Sequence, residues 1–589
     1  MKLEMMQRCT LTWSLSLVVG LGAASADAAA QARDTTPDPR VGLRAGWTDA
    51  GTAIENLRLV AHVDRPERFV NPADMGDFGV ANSDLAFRGN LVFQGNFNGF
   101  QIWDVSTPST PKLRTSFVCP GGQGDLSVHG NLLFMSVEET RGRLDCGTQG
   151  VPDSVSTDRF RGVRIFDISN LDAPRQVAAV QSCRGSHTHT LVTDPKDKEN
   201  VYVYISGTSI ARSPRELTGC SRGGPEDTTS SYFRIEVVKV PLAAPQDARI
   251  VSMPRIFADT AGNIAGLWMG GPHGPGTQQT SVTNQCHDIT VYPELGLAAG
   301  ACSGNGILLD ISDVVNPKRI DEVIDPNFAY WHSATFNNDG STVLYTDEWG
   351  GGVAARCRAT DRPEWGANAI FSLTGRTLRH ESYYKLPAPQ TAQENCVAHN
   401  GSLIPVPGRD IMAQAWYQGG VSVFDFTNPD RPFEIAYFDR GPMSDKLVLG
   451  GFWSAYWYDG HIYGSEIGRG LDVFALTPSE FLTANEIAAA KLAKMEVSNP
   501  QLQQRFTWPA AFVVARAYVD GLAREDALRG KWAADVRAAL DRAERARGAV
   551  RRTALTQLAT RLEKDAVGSP ASARVAALAK TVRELARGR

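Results

Sequence analysis

The chain has 589 residues, room for two or more domains, and a formal net charge of −4 at pH 7, which excludes an overall basic footprint for nucleic acid. The charge is uneven: residues 491–589 carry 20 Lys and Arg against 10 Asp and Glu, so the tail is basic and the rest acidic. Lys2 and Arg8 precede an apolar run, Leu11 to Ala24, and small-residue cleavage sites at Ala26-Asp27-Ala28 or Ala28-Ala29-Ala30. That pattern predicts an export signal over residues 1–30. The run is shorter than the about 20 residues needed to span a bilayer, and no later stretch is long and apolar enough, so a secreted or periplasmic protein without a transmembrane segment is expected.

Export sets the reading of the cysteines. Past the signal there are eight, and an even number in an oxidising compartment favours disulfides over metal thiolates. Connectivity is not fixed by spacing. Pairing sequence neighbours gives Cys119–Cys146, Cys183–Cys220, Cys286–Cys302 and Cys357–Cys396. No CxxC occurs, which argues against a cysteine zinc site.

Residues 31–54 are rich in Asp, Pro, Gly and Thr and read as a flexible leader. A repeat follows. Seven segments open in a similar way: SDLAF from Ser83, GDLSV from Gly124, THTLV from Thr188, HDITV from His287, HSATF from His332, HNGSL from His399 and SAYWY from Ser454. Each opens a unit of four short strands. The third strand of the clear copies reads GFQIWDVS (from Gly99), GVRIFDIS (Gly162), GILLDIS (Gly306), GVSVFDFT (Gly420) and GLDVFAL (Gly470). Units of this length with four antiparallel strands predict the blades of a seven-bladed β-propeller over residues 55–477. The seventh unit lacks an outer strand, and Asn56–Val63 (NLRLVAHV) is a strand without a unit, so it is expected to close the ring. Thr208–Ser231 and Ala258–Gln285 read as long loops. From residue 478 to 589 the apolar spacing changes to three and four, which predicts a small all-α domain of four or five helices. Its basic face is open to contact with a cell surface or an acidic polymer.

The third strands, with their apolar-apolar-Asp-apolar-Ser cores, resemble those of the LVIVD-repeat proteins, a family of exported bacterial β-propellers. The resemblance covers about Asn56 to Leu476. It implies the fold and leaves the chemistry open.

In a propeller the first strands line the central channel, and their starts share one face with the loops joining second and third strands. Residues at both places are therefore the candidates. The starts supply His187, His189, His287, Asp288, His332 and His399, with Asp84 and Asp125; the loops supply Glu138, Glu348, Trp349, Tyr417, Glu466 and Arg469. Half of the ten histidines fall at these starts. Neutral imidazoles converging from neighbouring blades would suit zinc or copper. Only neighbours such as His287, His332 and His399 could share one ion, with His189 as a further ligand and Glu348 or Glu466 as the base. Asp288, Trp349, Tyr417, Trp453 and Arg469 would contact a bound small molecule, glycan or protein. Exported seven-bladed propellers with channel histidines include the selenium-binding and methanethiol-oxidase group, where copper sits at the channel mouth; this chain is similar to it in the histidines and in no further motif. No GxSxG, P-loop or GxGxxG context is present. Two readings follow: a binding or interaction protein of the cell envelope or extracellular space with a ligand site at the mouth, or a metal-dependent oxidoreductase or hydrolase.

Overall fold

The Asp of each DVS-like signature ends the third strand of its unit by turning the chain. Asp104, Asp167, Asp310 and Asp425 each accept the backbone N–H two residues on, at 2.7–2.9 Å. This is an Asx turn, so the repeat signature is turn chemistry. The glycine that opens the strand is equally local in its cause. A Cβ on Gly99 or Gly162 would lie 1.9 Å or 2.0 Å from a carbonyl of the next strand.

These devices recur along a computed structural model that describes residues 37–259, 261–524 and 530–588. The expected export signal lies outside the described residues. The protein is mostly antiparallel β in several sheets, followed by five helices. Six four-stranded meanders and a seventh unit of three consecutive strands run in chain order, with first strands Asn82–Arg88, Leu126–His129, Thr188–Asp194, Asp288–Tyr292, Trp331–Phe336, Asn400–Ile404 and Phe452–Tyr458. We number these units 1 to 7. Each first strand lies beside that of the next unit, and the first strand of unit 7 lies beside that of unit 1. Units 6 and 7 merge into one nine-stranded sheet through parallel pairing of Asn400 with Ser454. The outer strand of unit 7 is Leu57–Asp64, paired with Gly470–Leu476, as expected.

Two sequence expectations need correction. The leader is tied down from Pro39 onward. Thr52–Glu55 pairs with the outer strand of unit 6, Arg40 forms an ion pair with Glu434 at 2.7 Å, and Arg469 donates to the carbonyls of Gly46 and Trp47 at 2.6 and 2.8 Å. Within Ala258–Gln285 the chain forms a hairpin, Met269–Pro272 with Gln279–Val282. All four disulfides join the expected neighbours.

The helices are α1 (Ala484–Ala490), α2 (Phe512–Arg524), α3 (Trp532–Arg545), α4 (Gly548–Ala566) and α5 (Ser572–Arg587). Leu555, Leu558 and Leu562 of α4 meet Val575, Leu578 and Val582 of α5 in one core, which is why the apolar spacing is three and four. The helices belong to the same compact unit as the sheets, Pro39–Arg589. The buried Glu486 of α1 binds Arg524 of α2 and Arg409 of unit 6. The segment before α2 crosses the far ends of the first strands. Glu496 accepts from Tyr458 Oη in unit 7 and from Gly89 N in unit 1, while Val497 and Ser498 pair with Arg88 and Phe87. Asn499 exchanges two hydrogen bonds with the backbone of Val128 (2.8 and 3.0 Å). Gln501 and Gln503 bond Val291; the Gln503 amide bonds Phe336. Trp508 donates to Pro405 O at 2.9 Å. Among the described residues, no helix is long and apolar enough to cross a membrane.

Candidate metal centre and ligand cleft

At the starts of the first strands the chain opens a cleft of about 690 Å³. The hydrogen-bond register decides which histidines reach it. His187 N, His287 N and His399 N each donate to the facing second strand, at Ser206, Ala301 and Ala415. These three therefore hold equivalent places, while His332 lies at a register shift between Trp331 and Ala334 in unit 5. Their rings form an arc, with centroids 4.3 Å apart from His187 to His287, 3.7 Å to His332 and 4.4 Å to His399. All four line the cleft.

Hydrogen bonds orient three of the rings in the same sense. Nδ1 of His187 meets the Glu138 carboxylate, Nδ1 of His287 meets Asp288 at 3.0 Å, and Nδ1 of His399 meets the carbonyl of Trp453. An acceptor at Nδ1 places the proton there and leaves Nε2 of His287 and His399 to act as a ligand, a common arrangement behind metal-bound histidine, whereas Nε2 of His187 meets Gln123 Nε2 at 2.8 Å. His332 differs. It is fully buried and neither ring nitrogen has a partner. Its Nε2 lies 3.8 Å from Glu348 Oε2, and that of His399 lies 3.8 Å from Glu348 Oε1. The ligand atoms of His287, His332 and Glu348 lie within 4.8 Å of one another. Tyr417 Oη donates to Glu348 Oε1 at 2.7 Å and fixes the carboxylate.

Burial governs the charges. It holds His332 well below the ordinary imidazole range and His399 down at about 3, and it lowers His287, so these rings are neutral and ligand-ready. Burial also pushes Glu348 up to about 7, against the pull of the Tyr417 hydroxyl. His187 goes the other way. Burial lowers it, but the adjacent Glu138 carboxylate outweighs that and raises it overall. Glu138 thus holds His187 toward its protonated form at the end of the arc, with Gln123 Nε2 at 2.8 Å from its Nε2, while burial holds the other three rings toward the neutral form.

The remaining candidates divide. Trp349, Tyr417 and Trp453 line the cleft, and Asp288 supports His287 from behind. His189 does not join the arc. It is buried two residues deeper, between Ser127 Oγ at 2.5 Å and Ser136 Oγ at 2.8 Å. Glu466 and Arg469 are also elsewhere. They bind each other at 3.1 Å, and Glu466 accepts from the backbone of Gly468 while Arg469 holds the Gly46–Trp47 segment. Trp331, Trp416 and Trp457 are core residues. Among the lining residues that sequence reasoning passed over are Tyr330, Arg356, Gln278 and Gln123. Arg356 follows a triple-glycine turn and precedes a disulfide cysteine, a local signal that its loop is pinned.

No protein-family model matches the chain, and no curated protein matches it in sequence. Among solved structures it is similar to a putative 6-phosphogluconolactonase from Bacteroides fragilis, at 10% identity over 67% of this chain and 89% of that one, with a TM-score of 0.39. It is similar to a periplasmic gluconolactonase of Pseudomonas aeruginosa at 11% identity over 67% and 100%, with a TM-score of 0.41. The N-terminal domain of Nup159 matches at 9% identity over 71% and 95%, with a TM-score of 0.39. Likenesses of this strength carry no argument about activity.

Proposed function

We propose that the chain is an exported seven-bladed β-propeller of the LVIVD-repeat kind whose channel mouth holds a zinc or copper ion, bound by His287, His332, His399 and Glu348, and presents it to a small ligand. The cyclic order of the seven first strands, and the N-terminal strand that completes unit 7, support the propeller. Four disulfides support an oxidising compartment outside the cytoplasm or in the periplasm.

One observation carries the metal: His332 buries two polar nitrogens without a partner, between two oriented imidazoles and a carboxylate. An unpaired buried polar group costs about 1–3 kcal/mol, and an ion held by one of these nitrogens would remove that nitrogen's share of the penalty. Imidazole nitrogen with carboxylate oxygen suits zinc or copper rather than magnesium or calcium. The open side of the cluster faces the cleft, as a site that takes a ligand or activates water requires. The metal-dependent reading is therefore preferred to metal-free binding.

Metal content by mass spectrometry, on protein purified from the periplasm, tests the proposal. About one zinc or copper per chain is expected, falling strongly in His332→Ala with the melting curve otherwise two-state. A wild-type protein that neither retains nor takes up either metal refutes the proposal.

A further inference from the structure

The wall of the cleft away from the histidines offers hydrogen-bond donors that the protein itself does not use. Arg356 lines the cleft with its guanidinium 4.1 Å over the ring of Trp349. Stacking occupies the plane of the guanidinium and leaves its N–H edge free for a planar acceptor. Among the described residues Arg356 makes no ion pair, and its Nε is buried without a partner. Gln278 is 4% exposed, lines the same cleft, and leaves its Nε2 without an acceptor. The backbone holds both in place. The Arg356 amide donates to Cys396 O at 3.2 Å beside the Cys357–Cys396 disulfide, and Gln278 N donates to Pro326 O at 2.9 Å. Trp349, Tyr417, Trp453 and Phe97 supply apolar walls.

We infer that the cleft takes a small organic carboxylate, preferably a planar or aromatic one, gripped by the fork of Arg356 with the Gln278 amide as second donor. This rests on reading the cleft as a ligand site and does not require the metal. A single carboxylate fits the charge balance. The acids lining the cleft are Glu138, paired with His187, and Glu348; Arg356 is the one Lys or Arg in the lining. A phosphate dianion would face those acids with only one guanidinium to hold it, whereas a monoanion matches one bidentate fork. Aromatic faces next to a stacked guanidinium suit a flat ligand body. The cleft volume lies in the range of small-molecule sites, about 300–1,000 Å³.

The test is fluorescence titration of chelator-treated wild-type protein, with Trp349 and Trp453 as reporters. Benzoate, benzamide and inorganic phosphate are the probes. Benzoate is expected to bind saturably, at least about tenfold tighter than either of the others. Arg356→Gln is expected to lose about tenfold or more for benzoate and little for benzamide, Gln278→Leu several-fold, and Arg356→Lys an intermediate amount because the charge remains without the fork. Zinc uptake by Arg356→Gln should equal that of the wild type. Benzoate binding no tighter than benzamide or phosphate overturns the inference. So does benzoate binding that appears only with metal loaded and ignores Arg356→Gln, because the ion would then hold the carboxylate. If zinc fails to bind the wild type while the benzoate pattern holds, the metal centre falls and this inference stands.

Discussion

Asp288→Ala isolates the support behind one metal ligand. Asp288 accepts from His287 Nδ1 at 3.0 Å, and that bond fixes which nitrogen faces Glu348 and His332. Removing such a partner typically weakens metal binding 10–100-fold, or about 1.4–2.8 kcal/mol. The substitution should spare the fold. Asp288 shares the interior with Asp84 and Asp125, which burial above all pushes upward, Asp84 to about 7, with the Asp288 charge a lesser cause for each. Thermal melts of Asp288→Ala separate lost affinity from lost stability. Asp288→Asn keeps an acceptor oxygen and should fall between Ala and wild type. His189→Gln should leave affinity unchanged, because Ser127 and Ser136 occupy the two nitrogens of His189. Competition of purified apoprotein with a chromophoric zinc chelator measures all four proteins. Zinc affinity of Asp288→Ala within twofold of wild type, or a drop in His189→Gln as large as in Asp288→Ala, would refute the reasoning.

Gly352→Ala should cut zinc affinity as Glu348→Gln does, because at φ +69° its Cβ would lie 2.2 Å from Tyr417 Oη and 2.8 Å from Glu348 Oε1; the same chelator competition reads it. Asp439→Asn should flatten the pH dependence of stability. Burial, and then Glu394, push Asp439 up to about 8 in the folded state, so the stability it contributes is full below its unfolded value and is lost as pH rises toward 8. The ceiling is about 6 kcal/mol, and thermal melts should show the variant ahead of wild type at alkaline pH and level with it in acid. Asn499→Ala should cost about 2–4 kcal/mol in urea unfolding, since it orphans the N–H and C=O of Val128; a change under about 0.5 kcal/mol would remove the far-end segment from the stability argument.

The repeat was legible because its chemistry is local. An Asp that caps its own strand and a glycine that must avoid the next carbonyl leave a mark in every copy, whatever the distant packing. The edge strand Leu57–Asp64 was legible by deficit, since unit 7 had three strands and one was spare. The histidine arc was half legible. His187 and His189 point to one face of their strand, so alternation cannot tell which reaches the opening; only the register against Ser206 decides. Glu466 ends the second strand of unit 7 as Asp347 ends that of unit 5, one residue short of the place of Glu348, and an arginine three residues on captures it, a local ion pair that the spacing already contained. Arg356 and Gln278 come from a disulfide-pinned loop and an inserted hairpin, outside the repeat, where no periodic argument reaches.

The basic tail looked from its composition like a surface module. Its connection to the sheets argues for a further role. Between Glu496 and Trp508 the chain touches the far ends of the first strands in units 7, 1, 2, 4, 5 and 6, largely through backbone and amide bonds. Those ends are opposite the histidines, which sit at the strand starts. On the propeller reading, this segment stops one end of the channel and leaves the cleft as the entrance for ligand and ion. A blind channel explains how rings as buried as His332 and His399 keep unprotonated nitrogens facing an opening: water reaches them from one side only. It also ties the arc to the tail, because the strands that space the four imidazoles are the strands this segment clamps. Loosening the clamp should therefore spread the histidines before it unfolds the sheets, and zinc affinity in Asn499→Ala should fall at urea concentrations where far-UV dichroism is still native.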